Sequence, residues 1–173
     1  MTTTSETSTP TLLAKPGKYL TFRLGHECYG LPVLQVREII RLVDITPVPQ
    51  MPPDIRGVIN LRGKIIPVAD LRVKFGLAQT EANEQNCIVV VQVRKSAGSV
   101  FQLGLIVDAV QEVVQIGTED LEETPQFGSQ ATLDYILGIA KLKDRVVILL
   151  DMDKVLAAGS LEQASFAATP TAG

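Results

Sequence analysis

The chain states one pattern twice. Ile55 to Phe75 reads IRGVINLRGKIIPVADLRVKF, and Ile136 to Leu156 reads ILGIAKLKDRVVILLDMDKVL. Aligned without gaps at an offset of 81 residues, from Gly57 to Gly138, they match Ile55 with Ile136, Leu61 with Leu142 and Asp70 with Asp151. Apolar classes agree at Val58/Ile139, Ile65/Val146, Ile66/Val147, Val68/Leu149 and Leu71/Met152. A second pair runs at an offset of 74 residues, from Gly30 to Gly104: YGLPVLQVREIIRL from Tyr29 against LGLIVDAVQEVVQI from Leu103. It matches Leu31 with Leu105, Val36 with Val110 and Glu38 with Glu112. Apolar residues coincide readily by chance; Gly, Glu and Asp in register do so less. Both parts recur in the same order, so the chain reads as a duplicated β unit. The repeat is too long for a solenoid module.

Each unit has a legible local plan. In the first, two β-branched runs flank Arg62–Gly63–Lys64, the mark of two strands joined by a hairpin. Asp70 then opens a short segment, Leu71 to Phe75, that Gly76 closes. Asp suits an N-cap and Gly the position just past a helix end. The equivalent segment is Met152 to Leu156. Lys18 to Leu24 alternates as a half-buried strand, and Gly25–His26–Glu27 turns it into Cys28 to Pro32. Val33 to Leu42 suits either a helix or a bulged strand. Its later copy, VQEVVQI, is nearly all β-branched at its apolar positions, which favours bulged strands for both. Four prolines between Thr46 and Pro53 make that stretch a fixed loop or an edge strand. Cys87 to Arg94 and Val100 to Val107 are a further strand pair, and Leu133 to Asp151 holds the last strands. Gly117 to Ala131 is a long polar connection.

Many short strands and little helix imply an all-β barrel or sandwich, and the duplication makes it two small barrels packed side by side. Units of roughly 60 residues bury too little surface to be comfortable alone, so their mutual packing must supply the rest. Residues 1–17, rich in Thr, Ser and Pro, read as a disordered arm; 18–158 as one domain of two interleaved barrels; 159–173 as a tail. No stretch approaches the roughly 20 apolar residues of a membrane helix, and the start lacks a signal-peptide core. A cytoplasmic protein without membrane insertion is expected. Net charge is −3 with 16 basic and 19 acidic residues and no basic block, which disfavours nucleic acid as a partner.

Chemistry for an enzyme is sparse. His26 is the only histidine, and it sits in a turn. Cys28 and Cys87 form no CxxC and read as reduced, idle thiols; no metal spacing and no cofactor fingerprint occurs. Asp70 and Asp151 hold equivalent places and are better read as caps than as paired acids. The acidic run Glu119, Asp120, Glu122 and Glu123 reads as a solvated face. No catalytic, metal or cofactor residue is therefore assigned. A binding module fits better, with Glu38 and Arg62 as its most specific polar candidates. Arg62 is either an exposed tip cation or a fork pairing with Glu38. Phe127, an aromatic in a polar loop, is either a plug on a barrel end or an anchor for a partner.

These segments together resemble the CheW family of bacterial chemotaxis coupling proteins. The matching residues are YGLPVLQVREII, TPVPQMPPDIRGVINLRGKIIPVADLRVKFG, GLIVDAVQEVV and YILGIAKLKDRVVILLDMDKVL, which span nearly all of Lys18 to Leu156. GVINLRG, IPVADLR and GLIVD in this order are highly specific. The resemblance implies two five-stranded SH3-like barrels and a non-enzymatic adaptor. Its implied partners are the cytoplasmic tip of methyl-accepting chemoreceptors, the regulatory domain of the chemotaxis histidine kinase, and further copies of the chain in rings, at membrane receptor arrays. Carried over, the receptor groove between the barrels is Leu20, Val33, Val36 and Val110. The kinase-facing candidates are Glu38, Arg62, Ile65 and Phe127. Arg37 and Arg56 are not fixed features of the family. Three rival readings remain: a paralogous coupler of a pilus or gliding pathway, an enzyme with an unrecognised site, and a small-molecule sensor domain using the seam as a pocket. An amphipathic helix in an apolar groove is a general mode of recognition.

Overall fold

A computed structural model describes residues 15–77, 85–94, 98–122 and 136–153. The chain enters through β1 (Gly17–Leu24) and β2 (Glu27–Pro32), passes a 3-10 turn at Val33–Gln35, and continues as β3 (Val36–Arg41), β4 (Ile55–Leu61) and β5 (Lys64–Asp70). Helix α1 (Leu71–Lys74) closes the first unit. The second supplies β6 (Cys87–Arg94), β7 (Val100–Val107), β8 (Ala109–Ile116), β9 (Leu121–Glu122), β10 (Ile136–Lys141) and β11 (Val146–Leu150). Met152 and Asp153 begin the second helical turn; the rest of Met152 to Leu156, the N-terminal arm through Ala14 and the tail lie outside the described residues.

The strands form two sheets of one plan. One runs β3-β6-β7-β5-β4, the other β8-β1-β2-β11-β10 with β9 added at its edge. The units therefore exchange their first hairpins. β1–β2 leaves its own unit and pairs with β8 and β11, while β6–β7 pairs with β3 and β5. The registers repeat as well. Val68 lies opposite Gly104 in one parallel pair, and Leu149 lies opposite Gly30 in the other. Those four residues are the ones the two offsets equate. Phe22 pairs with Tyr29 and Val110; its counterpart Val91, 69 residues on, pairs with Leu103 and Val36.

Both glycines are matched for a steric reason. A Cβ at Gly104 would stand 2.8 Å from Ile88 Cγ2, and one at Gly30 would stand 3.0 Å from Leu149 Cδ2 and 3.1 Å from Val147 Cγ1. At Gly30 the parallel partner β11 occupies the space a side chain would need; at Gly104 it is Ile88 of the antiparallel neighbour β6, with Val68 of the parallel partner at 3.4 Å. Gly57 answers a different demand. Its φ is +147°, and a Cβ would fall 2.1 Å from the Thr46 carbonyl oxygen, which accepts the Val58 N–H. The β4–β5 turn has two central residues, Arg62 at φ 52° and Gly63 at φ 87°, the sign pattern of a type I′ hairpin.

Bulges recur at matched points. The registers of β3 and β8 break at Arg37 and at Gln111–Glu112, and those of β4 and β10 break at Arg56 and Leu137. Bulged strand is therefore the right reading of Val36 onward, preceded by one short 3-10 turn. In the second sheet, buried Thr21 fills the gap: its hydroxyl donates to the Glu112 carbonyl at 2.7 Å and accepts the Glu112 N–H at 3.1 Å.

Three apolar clusters result. Ile59, Ile66, Val68, Ile88 and Val90 fill one barrel, and Tyr19, Ile116, Ala140, Val147 and Leu149 fill the other. The third and largest lies between them and draws on both units: Leu20, Phe22, Leu24, Tyr29 and Leu31 with Val89, Val91, Val93, Leu103 and Leu105. β1 is thus not half-buried as its alternation suggests. One face meets the shared core, the other its barrel's interior, and the Tyr19 hydroxyl reaches out to donate to Lys15 O at 2.7 Å. The long polar connection also differs from expectation. It contributes a 3-10 turn, Thr118–Asp120, and then β9, which pairs with the free edge of β10. An unpaired edge is satisfied by even two added residues.

Gly104→Ala should lower unfolding free energy by about 1–3 kcal/mol, as overpacking does. Gly57→Ala should lower it further, because backbone there cannot move aside as a side chain can. Urea denaturation of both variants measures the order; equal losses would contradict it.

Candidate functional site

The exchange creates a boundary where each unit hands its chain to the other barrel. Val36 opens β3 just after one crossover, and Val110 lies near the start of β8 just after the other. Val36 pairs with Val91 and Val110 with Phe22, both members of the shared core. Both valines are half-buried and pack on that core. Leu20 belongs to the same cluster but is only 4% exposed, so it underlies the boundary instead of facing outward. Val33 sits in the adjoining 3-10 turn, half-buried. The structure therefore brings Leu20, Val36 and Val110 onto one cluster, with Val33 beside them along the chain.

Leu34 was not singled out from the sequence. It is 88% exposed, the most exposed large apolar side chain among the described residues, between Val33 and Gln35. The repeat held the signal: Leu34 stands where the second copy has Asp108, and an apolar residue at a crossover tip has no structural reason to be there.

The bulge at Arg37 sets the direction in which the later residues of β3 face. Val36 faces the shared core, whereas Ile40 faces the barrel interior. Without an inserted residue both would share a face. Glu38 lies beyond the bulge on the Ile40 side. Its two carboxylate oxygens accept from Arg62 Nη2 at 2.7 and 2.6 Å. β3 and β4 are the two ends of the five-stranded sheet, so this ion pair ties its edges across the barrel mouth. The second barrel repeats the device from another position: Arg145 Nη2 donates to Glu112 at 2.7 Å. That hydrogen bond holds the Arg145 guanidinium above its usual pKa. Arg62 is thus a partner of Glu38, though its one nitrogen serves both oxygens instead of a two-nitrogen fork. Ile65, just past the hairpin tip, is 63% exposed. Phe127 lies outside the described residues.

A cavity of about 390 Å³ opens beside the first barrel, lined by Asp44, Arg56, Asp70, Arg72, Asn86 and Asp108 among others. Two of its carboxylates are committed. Asp70 accepts from Arg72 N at 3.0 Å as the helix cap and from Arg56 Nη1 at 2.8 Å, and Asp108 is ion-paired with Arg72. Asp151 accepts from Asp153 N at 3.0 Å, the same capping bond in the second unit. Both aspartates are caps, as their places in the repeat suggest. Arg37 donates to Gln92 Oε1 through Nε and Nη2. His26 is exposed in its turn. Cys28 and Cys87 are free, half-buried thiols whose pKa values burial pushes up. Among the described residues no cluster of potential metal ligands occurs, and no helix is long and apolar enough to cross a membrane.

Comparison with known proteins places this geometry. The family model described as "CheW-like domain" matches residues 18–160. The chain is 34% identical over 139 residues to a protein of Klebsiella aerogenes named chemotaxis protein CheW, covering 80% of this chain and 81% of that one. A Treponema pallidum protein of the same name is 31% identical, covering 83% and 84%. Among solved structures, the scaffolding protein TtCheW of Thermoanaerobacter tengcongensis superposes with a TM-score of 0.71 at 36% identity, covering 82% of this chain and 92% of that one.

An ion pair this exposed stabilises weakly, by about 0.2–1 kcal/mol. A double-mutant cycle on Glu38→Ala and Arg62→Ala, read by thermal or urea unfolding, should return a coupling in that range that shrinks at high salt. A coupling of several kcal/mol would mean the pair is a main support of the barrel.

Proposed function

Because the chain belongs to the CheW family, we propose that it is a non-enzymatic adaptor joining the cytoplasmic tips of methyl-accepting chemoreceptors to the chemotaxis histidine kinase. The observation that carries this reading is the pair Val36 and Val110. They are equivalent residues of the two units, half-buried on one shared core at the boundary between barrels. A solvent-reachable apolar seam of this kind suits the apolar stripe of a receptor helix. Leu34 extends the seam at the rim and adds the exposed apolar contact that a docked helix would cover. Leu20 contributes from below by holding the valines in place.

The kinase contact is assigned to the Glu38–Arg62 end of the first barrel together with exposed Ile65. Val36 and Glu38 flank one bulged residue of a single strand, so the two contacts share a rigid element. Coupling needs no turnover. A receptor conformation that favours one seated pose shifts the kinase equilibrium by the same free energy, and each contact can be weak because an array repeats it. Following the family resemblance, the chain is assigned to membrane receptor arrays. Partners among further copies in rings belong to the same proposal.

Val36→Asp or Val110→Asp should abolish co-sedimentation with receptor-bearing membranes while the melting transition persists. Normal binding by both variants would remove the seam as the receptor site. Leu34→Ala should weaken receptor binding without affecting stability. Arg62→Glu should reduce kinase recruitment, and adding Glu38→Arg should restore it if the pair acts as a unit. The decisive measurement is reconstitution with receptor and kinase, reading phosphorylation with and without this chain; no change in kinase activity would refute the adaptor reading.

A further inference from the structure

We propose that Asp108 is the positioning residue that locks the two barrels at one angle, and so sets the width of the seam between them. Asp108 is the single residue between β7, in the first barrel's sheet, and β8, in the second's. It is held from both sides. From the second barrel's sheet, Gly25 N donates to Asp108 Oδ2 at 2.7 Å, and Asp108 N donates to the Arg23 carbonyl at 3.0 Å. From the first barrel's side, Arg72 Nη1 donates to the same Oδ2, and Asn86 Nδ2 donates to the Asp108 carbonyl at 3.0 Å. Arg72 stands on α1, which Asp70 caps. One carboxylate oxygen thus joins the β1–β2 turn, seated in the second barrel, to the helix of the first.

The pair is largely shielded, with side-chain exposures of 8% for Arg72 and 15% for Asp108. Charge-assisted hydrogen bonds in such surroundings are strong and directional, and breaking one partner leaves the other uncompensated. The other crossover lacks the ion pair. Leu34 occupies the position equivalent to Asp108 and points to solvent, and Asp153 occupies that of Arg72, where it accepts from Arg94 N at 2.8 Å. The barrels are therefore fastened by an ion pair and three further hydrogen bonds on Asp108 at one end of their boundary, and by apolar packing with the Arg94–Asp153 hydrogen bond at the other. Two residues past the lock stands Val110, one wall of the seam. Apolar packing with one hydrogen bond resists separation but tolerates small rotations; four hydrogen bonds converging on one residue, one of them charge-paired, resist rotation as well.

The inference rests on the seam as the receptor site for its functional consequence, and its test separates the two. Spin labels at exposed Asn60→Cys in the first barrel and Gln115→Cys in the second, in a Cys28→Ser/Cys87→Ser background, report the inter-barrel distance. Asp108→Asn keeps an oxygen for the Gly25 N–H and removes the ion pair; Arg72→Met/Asp108→Leu replaces the pair by apolar volume and preserves folding should the first variant melt. Both should broaden the distance distribution, while Lys141→Ala, which removes an exposed ion pair, should leave it unchanged. In the receptor–kinase assembly Asp108→Asn should bind receptor and yet lower kinase activation by about 10-fold, a typical coupling free energy expressed as a ratio. A distribution as narrow as the parent's in both variants would overturn the lock. Failure of the parent protein itself to bind receptor would overturn the seam reading and leave the distance measurement standing.

Discussion

The constraint on which this fold depends is a one-residue link. β7 ends at Val107 and β8 begins at Ala109. For the second unit to keep its own hairpin, β8 would have to lie beside β6, two strand spacings from β7, about 9.6 Å away. Two peptide units reach about 7 Å at full extension. The chain must therefore step into the other sheet, and by the pseudo-symmetry of the repeat the first unit makes the reciprocal step. The exchange of hairpins is thus a consequence of chain length at the crossover, not of any one favourable contact. The parallel pairs β2–β11 and β5–β7 join each donated hairpin to its host sheet, each with a glycine in the pairing.

Exchange also explains why a chain made of two similar units behaves as one body. β1 and its counterpart β6 are buried on both faces, one against their own barrel and one against the shared cluster. Fully burying one Leu or Phe is worth about 1.5–3 kcal/mol, whereas an exposed ion pair such as Glu38–Arg62 contributes below about 1. The shared cluster carries the association of the barrels; the ion pairs at the barrel mouths fix shape. Neither unit has a complete sheet without hairpins donated by the other. The surface at the boundary has a buried floor of Leu20, Phe22 and Val91, on which half-buried Val36 and Val110 pack, with exposed Leu34 two residues before Val36.

Much of this was legible before any coordinates, because the informative matches were the residues with steric or capping duties. Gly30 and Gly104, and Asp70 and Asp151, announced equivalent backbone positions, and Val36/Val110 emerged from the same alignment. Three features were not legible. Alternation in β1 suggested one wet face, but Tyr19 and Thr21 are the two residues whose polar atoms find partners, Lys15 O and the Glu112 backbone, inside a double-sided core. The pairing of β9 depended on an open edge of β10 that no local signal encodes. The charged group around Asp108 joins residues from five separate segments, so its members looked like isolated surface charges. Phe127 lies beyond the described residues, and its role stays an expectation of the family resemblance.

The places where the two units differ are as telling as those where they agree. Thr21 stands against Val90, Arg56 against Leu137, Arg72 against Asp153, and Asp108 against Leu34. Three of these four pairs surround the Asp108 crossover or its partner helix. A boundary with true two-fold symmetry would accept a helix equally well in either direction, since reversing the helix and rotating the protein would give the same contacts. A receptor hairpin has a membrane end and a tip, so an adaptor of the kind proposed must tell those directions apart. Placing an exposed leucine at one crossover and a half-buried, ion-paired aspartate at the other makes the two ends of the seam chemically unlike. The same substitutions that fasten one end of the boundary therefore give it polarity, and one departure from the repeat accounts for both.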